Sequence, residues 1–161
     1  MKSIFSKTIA MLVATIAFVS CEQENYEPNL TAAPGGGTVT TFKAYTLSPT
    51  TADNIYGRVV FYNYNSKVTL VQIGLYNTDE GSSYTASIFG GKAAGAGASL
   101  VTLDGIDGAT GAFGTNKFFI INGEGFYDGL PAYDANVKVM LSAATVASGD
   151  IGANADPVEE K

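Results

Sequence analysis

The run Tyr56-Gly57-Arg58-Val59-Val60-Phe61-Tyr62-Asn63-Tyr64-Asn65-Ser66-Lys67-Val68-Thr69-Leu70-Val71-Gln72-Ile73-Gly74-Leu75 decides the fold. Tyr56, Arg58, Val60, Tyr62 and Tyr64 alternate with Gly57, Val59, Phe61 and Asn63. After Asn65-Ser66 the alternation resumes, with Val71, Ile73 and Leu75 set against Leu70, Gln72 and Gly74. Side chains on a strand point to opposite faces with a period of two, so each half reads as a strand with one apolar face. Two such runs joined by a short polar turn predict a β-hairpin. Val59 and Phe61, with Val71, Ile73 and Leu75, are its expected core face. Tyr56, Arg58, Tyr62 and Tyr64 share the other face.

The same grammar continues outward from the hairpin, and period-two patterning begins at Phe42. Asn77-Thr78-Asp79-Glu80-Gly81 is a turn, residues 83–89 a further strand, and residues 90–97 a loop of small residues. Residues 100–103 read as a short strand, and Asp104-Gly105-Ile106-Asp107-Gly108 as two successive turns. Lys117-Phe118-Phe119-Ile120-Ile121-Asn122 is a strand ended by Gly123-Glu124-Gly125. Val137, Val139 and Leu141 line one face of another strand, residues 142–147 read as a short helical turn, and residues 148–152 form the last strand. Phe118, Phe119, Phe126 and Tyr127 are expected in core or loop packing. Strands every 10–15 residues, Gly-rich turns and no long amphipathic helix predict an all-β sandwich or barrel with at most one or two helical turns.

The chain has 161 residues and 16.7 kDa, the size of one domain with short extras. Hydrophobic residues make up 46% and charged ones 15%, which excludes wholesale disorder. Net charge is −6, there is no His, and there is one Cys. Arg58 is the sole arginine. Nucleic-acid binding needs clustered Lys and Arg against phosphates, and this composition disfavours it. Most metal and nucleophile chemistry has no side chains here to work with.

The beginning of the chain, Met1-Lys2-Ser3-Ile4-Phe5-Ser6-Lys7, is basic, and the dozen residues from Thr8 to Val19 are uncharged and apolar. That length suits a secretory signal and falls short of the roughly 20 residues a helix needs to span a bilayer. The junction Phe18-Val19-Ser20-Cys21 resembles the lipobox of bacterial lipoproteins, with Phe18 where Leu is usual. The resemblance implies that residues 1–20 are removed and that Cys21 carries a diacylglyceryl group. The remaining chain then holds seven cations against fifteen anions. A single acyl chain, at about 0.8 kcal/mol per buried CH₂, holds marginally, whereas two or three hold firmly. Cys21 has no second cysteine to pair with.

Residues 21–40 then read as a tether. Glu22-Gln23-Glu24-Asn25-Tyr26-Glu27 looks like the acidic export signals of some Gram-negative lipoproteins, or equally a generic polar spacer. Pro28, Pro34 and Gly35-Gly36-Gly37 give a flexible composition, whose reach is about 25 Å at ~5–6 Å × √n. Residues 41–154 form the folded domain and residues 155–161 a polar tail. The expected address is the outer membrane, lipid-anchored, with the cell surface as a candidate side.

Within the domain, Gly57-Arg58-Val59-Val60-Phe61, Val71-Gln72-Ile73-Gly74-Leu75-Tyr76-Asn77, Tyr84-Thr85-Ala86-Ser87-Ile88-Phe89-Gly90-Gly91, Leu103-Asp104-Gly105-Ile106-Asp107-Gly108, Val137-Lys138-Val139-Met140-Leu141-Ser142 and the closing Gly149-Asp150-Ile151-Gly152-Ala153-Asn154 resemble the CHRD domain. The likeness covers residues 42–154, and its closing segment is the most specific piece. It implies a Greek-key β-sandwich, with an outline like immunoglobulin domains and copper/zinc superoxide dismutase. CHRD domains typically carry Ala-His-Ile-His and Val-Asn-Val-His segments. This chain has Ala86-Ser87-Ile88-Phe89 and Val137-Lys138-Val139-Met140 in their places, so Ser87, Phe89 and Met140 stand where the histidines would be. Hydroxyl and phenyl groups do not replace imidazole toward copper or zinc, and a lone thioether does not suffice. Any His-dependent role of relatives is therefore expected to be missing.

Other chemistry is thinly represented. No Gly-x-Ser-x-Gly or Ser-x-x-Lys pattern is present. Asp104 with Asp107, Glu124 with Asp128, and Asp134 lie in loops and would need to meet in a cleft to serve a hydrolase. Asp104 and Asp107 are weak Ca²⁺ candidates. Two carboxylates three apart, with glycine-freed carbonyls, offer three or four of the six to eight oxygens calcium wants. Tyr56, Arg58, Tyr62 and Tyr64 are the candidate binding surface, since exposed Tyr stacks on sugars or docks a protein. Three readings follow: a non-catalytic binding or accessory lipoprotein with an envelope protein or glycan as partner, a passive spacer with no discrete ligand, and a carboxylate-dependent hydrolase. No cofactor beyond the lipid is expected, and the oligomeric state stays open because sandwich edges can pair.

Overall fold

The structure, a computed structural model, describes residues 39–158. The leader, Cys21 and all but the last two residues of the tether lie outside the described residues, as do residues 159–161. Ten strands are described: β1 Phe42–Pro49, β2 Tyr56–Asn65, β3 Val68–Tyr76, β4 Ser83–Gly90, β5 Ser99–Thr102, β6 Ile106–Asp107, β7 Ala112–Phe113, β8 Phe119–Asn122, β9 Asp134–Leu141 and β10 Ala144–Gly152. One helical turn, α1 Phe126–Gly129, runs into a 3₁₀ turn at Leu130–Ala132. The all-β expectation holds.

Every pairing is antiparallel. The first sheet runs β8-β3-β2-β1 and the second β10-β9-β4-β5, with the ribbon β6-β7 continuing from the far end of β4. A short junction between Ser48-Pro49 of β1 and Ala147-Ser148 of β10 joins the two sheets. On the opposite side the Leu75 N–H donates to the Gly111 carbonyl at 2.8 Å, beside β7, so the sheet nearly closes on itself. The neighbours β3/β8, β4/β9 and β10/β1 are far apart in sequence. The chain crosses between sheets to reach them, as a Greek key does.

The core lies between the sheets and is built from the inward positions of the alternating strands. Val59 and Phe61 of β2 and Val71, Ile73 and Leu75 of β3 are all buried, as the hairpin reading requires. They meet Tyr84, Ala86 and Ile88 of β4 and Val137 and Val139 of β9. Tyr84 is fully buried, and its hydroxyl accepts the Asp79 N–H at 3.0 Å, which fixes the turn after β3. Lys43 closes one end of the core. Its ammonium sits 3.6 Å from the centre of the Tyr127 ring, and burial lowers its pKa against the opposing pull of Asp128.

Two local readings are corrected. Residues 144–147 belong to β10, not to a helical turn: Leu141 pairs with Ala144 across a two-residue turn in which Ser142 takes φ 55°. A bulge between Thr145 and Ala147 then buries Val146 and Ala147 together, which breaks the alternation that marks a strand. Ile106 and Asp107, read as part of a double turn, pair with β4 and β7 as a two-residue strand. Beyond the last strand, the Val158 N–H donates to the Ala44 carbonyl at 2.7 Å, so residues 155–158 run back along β1.

Candidate functional site

Directly opposed residues in an antiparallel pair share a face. The register of β1, β2 and β3 therefore lays out the outer face of the first sheet in rows. Phe42, Tyr62 and Leu70 form one row, Ala44, Val60 and Gln72 the next, then Thr46, Arg58 and Gly74, and finally Tyr56 with Tyr76. Large rings stand at both ends, and small or aliphatic residues lie between them. The face sinks there into a trough of about 770 Å³, within the range of small-molecule sites.

The walls are fixed by ring contacts. Tyr56 stacks on Tyr76, with centroids 5.3 Å apart and planes 26° from parallel. At the other end Tyr62 lies between Phe42 and Phe118, at 5.7 and 5.6 Å. The Tyr62 hydroxyl donates to Gln72 Oε1 at 3.1 Å, which holds both polar groups at the trough wall. The floor is Ala44, Val60 and Gly74. A Cβ added at Gly74 would meet no atom within 4 Å, so the missing side chain is what opens the trough. Tyr76 is 61% exposed and Tyr56 42%, so ring faces are available to a ligand.

Among the described residues Arg58 is the only charged one that lines the trough. Its row neighbours are Thr46 and Gly74, so no carboxylate faces it from either adjacent strand. Among the described residues its guanidinium has no hydrogen bond or ion pair. Among the described residues it is thus a cation without a partner, set between two sets of rings.

Of the four expected surface residues, Arg58 and Tyr62 line the trough, and Tyr56 braces it from behind Tyr76. Tyr64 falls at the bulge between Asn63 and Asn65, exposed and outside the trough. Phe42, Gln72, Gly74 and Tyr76 complete the site. Counting across the turn misses the last three: the bulge between Asn63 and Asn65 shifts the register by one residue, and only that shift sets Tyr76 opposite Tyr56 and Gly74 opposite Arg58.

The outer face of the second sheet carries Ser87, Phe89 and Met140, the three positions set against histidine in the CHRD likeness. Ser87 and Phe89 stand on β4, and Met140 pairs with Thr85 one row along. The loop 91–97 folds over this face. Asn136 Nδ2 donates to the Gly91 carbonyl at 2.8 Å, the Ala93 N–H donates to Asp150 Oδ1 at 2.6 Å, and Lys138 Nζ donates to the Gly95 carbonyl at 2.6 Å. An ammonium tied to a loop carbonyl thus lies on this face. Among the described residues no group of three or more His, Cys, Asp or Glu side chains comes together. Asp104 lies in a depression with Asn116 and Lys117, whereas Asp107 lines another with Gly105 and Gly114. Asp107 Oδ1 accepts the Ala109 N–H at 2.8 Å, an Asx turn. Asp134 accepts a hydrogen bond from Asn154 at 2.8 Å.

The fold and the site together define an all-β Greek-key sandwich with an aromatic-walled trough on one outer face. Compared with protein-family models, with curated proteins and with solved structures, the chain matches none.

Proposed function

We propose that this chain is an envelope-anchored lipoprotein whose β-sandwich, of CHRD type without the family's histidines, is a non-catalytic binding module. In this reading Cys21 carries the lipid, residues 22–40 lift the domain from the outer membrane, and the trough receives the ligand. The observation that carries the binding role is the trough, where exposed ring faces, a floor opened by Gly74 and convergent Arg58, Gln72 and Tyr62 make a concave surface. A passive spacer has no use for such a surface. The hydrolase reading has less support, because Asp104 and Asp107 line separate depressions and Asp107 is engaged in its own turn.

The ligand class that fits is a glycan. β2 is paired along both edges, and the outer edges of β1 and β3 beside the floor are met by the Val158 N–H at Ala44 and by the Gly111 carbonyl at Leu75, so the middle of the floor offers no open main-chain edge to a polypeptide strand. What it offers is ring faces, an amide, hydroxyls and one guanidinium, which suit stacked sugar rings with hydroxyl partners. The address is tested by labelling cells with an alkyne analogue of palmitate. Wild type takes the label and Cys21→Ala does not; label on the variant contradicts the lipoprotein reading. Binding is tested by titrating the full-length protein in detergent against a panel of envelope polysaccharides, where loss of binding in Tyr76→Ala is the expected result.

A further inference from the structure

The guanidinium of Arg58, unpaired among the described residues, specifies the ligand further. We infer that the trough selects an anionic glycan, a pyranose carrying an oxyanion that Arg58 holds while the ring lies against Tyr76. This rests on the glycan reading of the trough and adds the charge.

Opposite charges across a ladder are mutually stabilising, so a carboxylate across from Arg58 would favour the charged pair. Here both cross-strand neighbours are uncharged, Thr46 on one side and Gly74 on the other. Among the described residues the side chain has no ionic or hydrogen-bonded partner. Among the described residues the sole arginine of an acidic chain thus has no acid beside it on the ladder, and none lines the trough. A planar guanidinium offers paired N–H donors in a fork that matches carboxylate or sulfate oxygens, and such charge-assisted bonds are about twice as strong as neutral ones. Gly74 leaves open the space beside it, and Tyr76 presents a ring face at the end of the same trough. Stacking would hold the ring of any pyranose, and Arg58 would discriminate by charge.

The test uses full-length protein in detergent on an array of oligosaccharides. Hexuronic acids and sialylated sugars are each set beside their methyl esters, and sulfated sugars beside their unsulfated parents. The expected result is binding of the carboxylated or the sulfated members, with their neutral counterparts at least about tenfold weaker and the affinity falling as salt rises. The two arms separate the two oxyanion sources. Arg58→Gln loses roughly tenfold or more, and Arg58→Lys recovers part of it. Equal binding of charged and neutral members, unmoved by Arg58→Gln but abolished by Gly74→Leu, overturns the charge inference and leaves the glycan reading in place. No sugar binding at all, or binding of a protein partner alone, overturns both.

Discussion

Gly57 and Gly74 lie one residue apart in register on neighbouring strands, and a side chain would meet very different surroundings at each. At Gly57 an added Cβ would run into the Gly74 carbonyl oxygen, so the backbones of β2 and β3 depend on its absence. At Gly74 an added side chain would project into the open trough. Gly57→Ala is therefore expected to destabilise the domain by about 1–3 kcal/mol or more, the cost of overpacking against backbone. Gly74→Leu is expected to leave stability unchanged or raise it by about 0.5–1 kcal/mol, because glycine inside a strand is itself costly. Urea denaturation of the two variants decides this. Comparable losses would mean that Gly74 is a packing residue and not the floor of a site.

At the level of elements, the turn between β9 and β10 holds Ser142 at φ 55°, a region that disfavours residues with a Cβ. Ser142→Gly should stabilise the domain by about 0.5–1 kcal/mol, and Ser142→Val should destabilise it; thermal melts of the pair check the sign. The same turn explains what the sequence concealed. Strands β2, β3, β4 and β9 were legible because their inward positions alternate cleanly. The start of β10 was not legible, because Ser142-Ala143 carries no turn glycine and the bulge places Val146 and Ala147 both in the core. The two-residue strand β6 exists only through its tertiary pairing with β4, which no local pattern encodes. The tyrosine face of β2 was legible from period two alone. The trough was not, because its depth comes from Gly74 and its far wall from Tyr76 on the partner strand.

Over the whole molecule, two tyrosines tie stability to alkaline pH. Burial is the main reason the Tyr45 and Tyr127 phenols are raised above their ordinary values. A raised phenol contributes stability that is fully present below the unfolded-state value of about 10 and is lost as pH rises through the folded-state value. The melting temperature should therefore fall above about pH 10, and Tyr45→Phe should flatten that fall. Lys43 acts with the opposite sign: its lowered pKa means that its charged form is disfavoured on folding, a cost relieved as pH rises toward the ordinary lysine value. An alkaline melting profile identical in wild type and Tyr45→Phe would remove Tyr45 from this account.

We propose that this protein holds its ligand on the outer face of the first sheet. The most direct measurement is the affinity of full-length wild type and of Gly74→Leu for the same envelope polysaccharides, with melting temperatures recorded in parallel. The expected outcome is at least about a tenfold loss of affinity in the variant, equivalent to about 1.4 kcal/mol, with folding intact. Equal affinity in two equally folded proteins would contradict it.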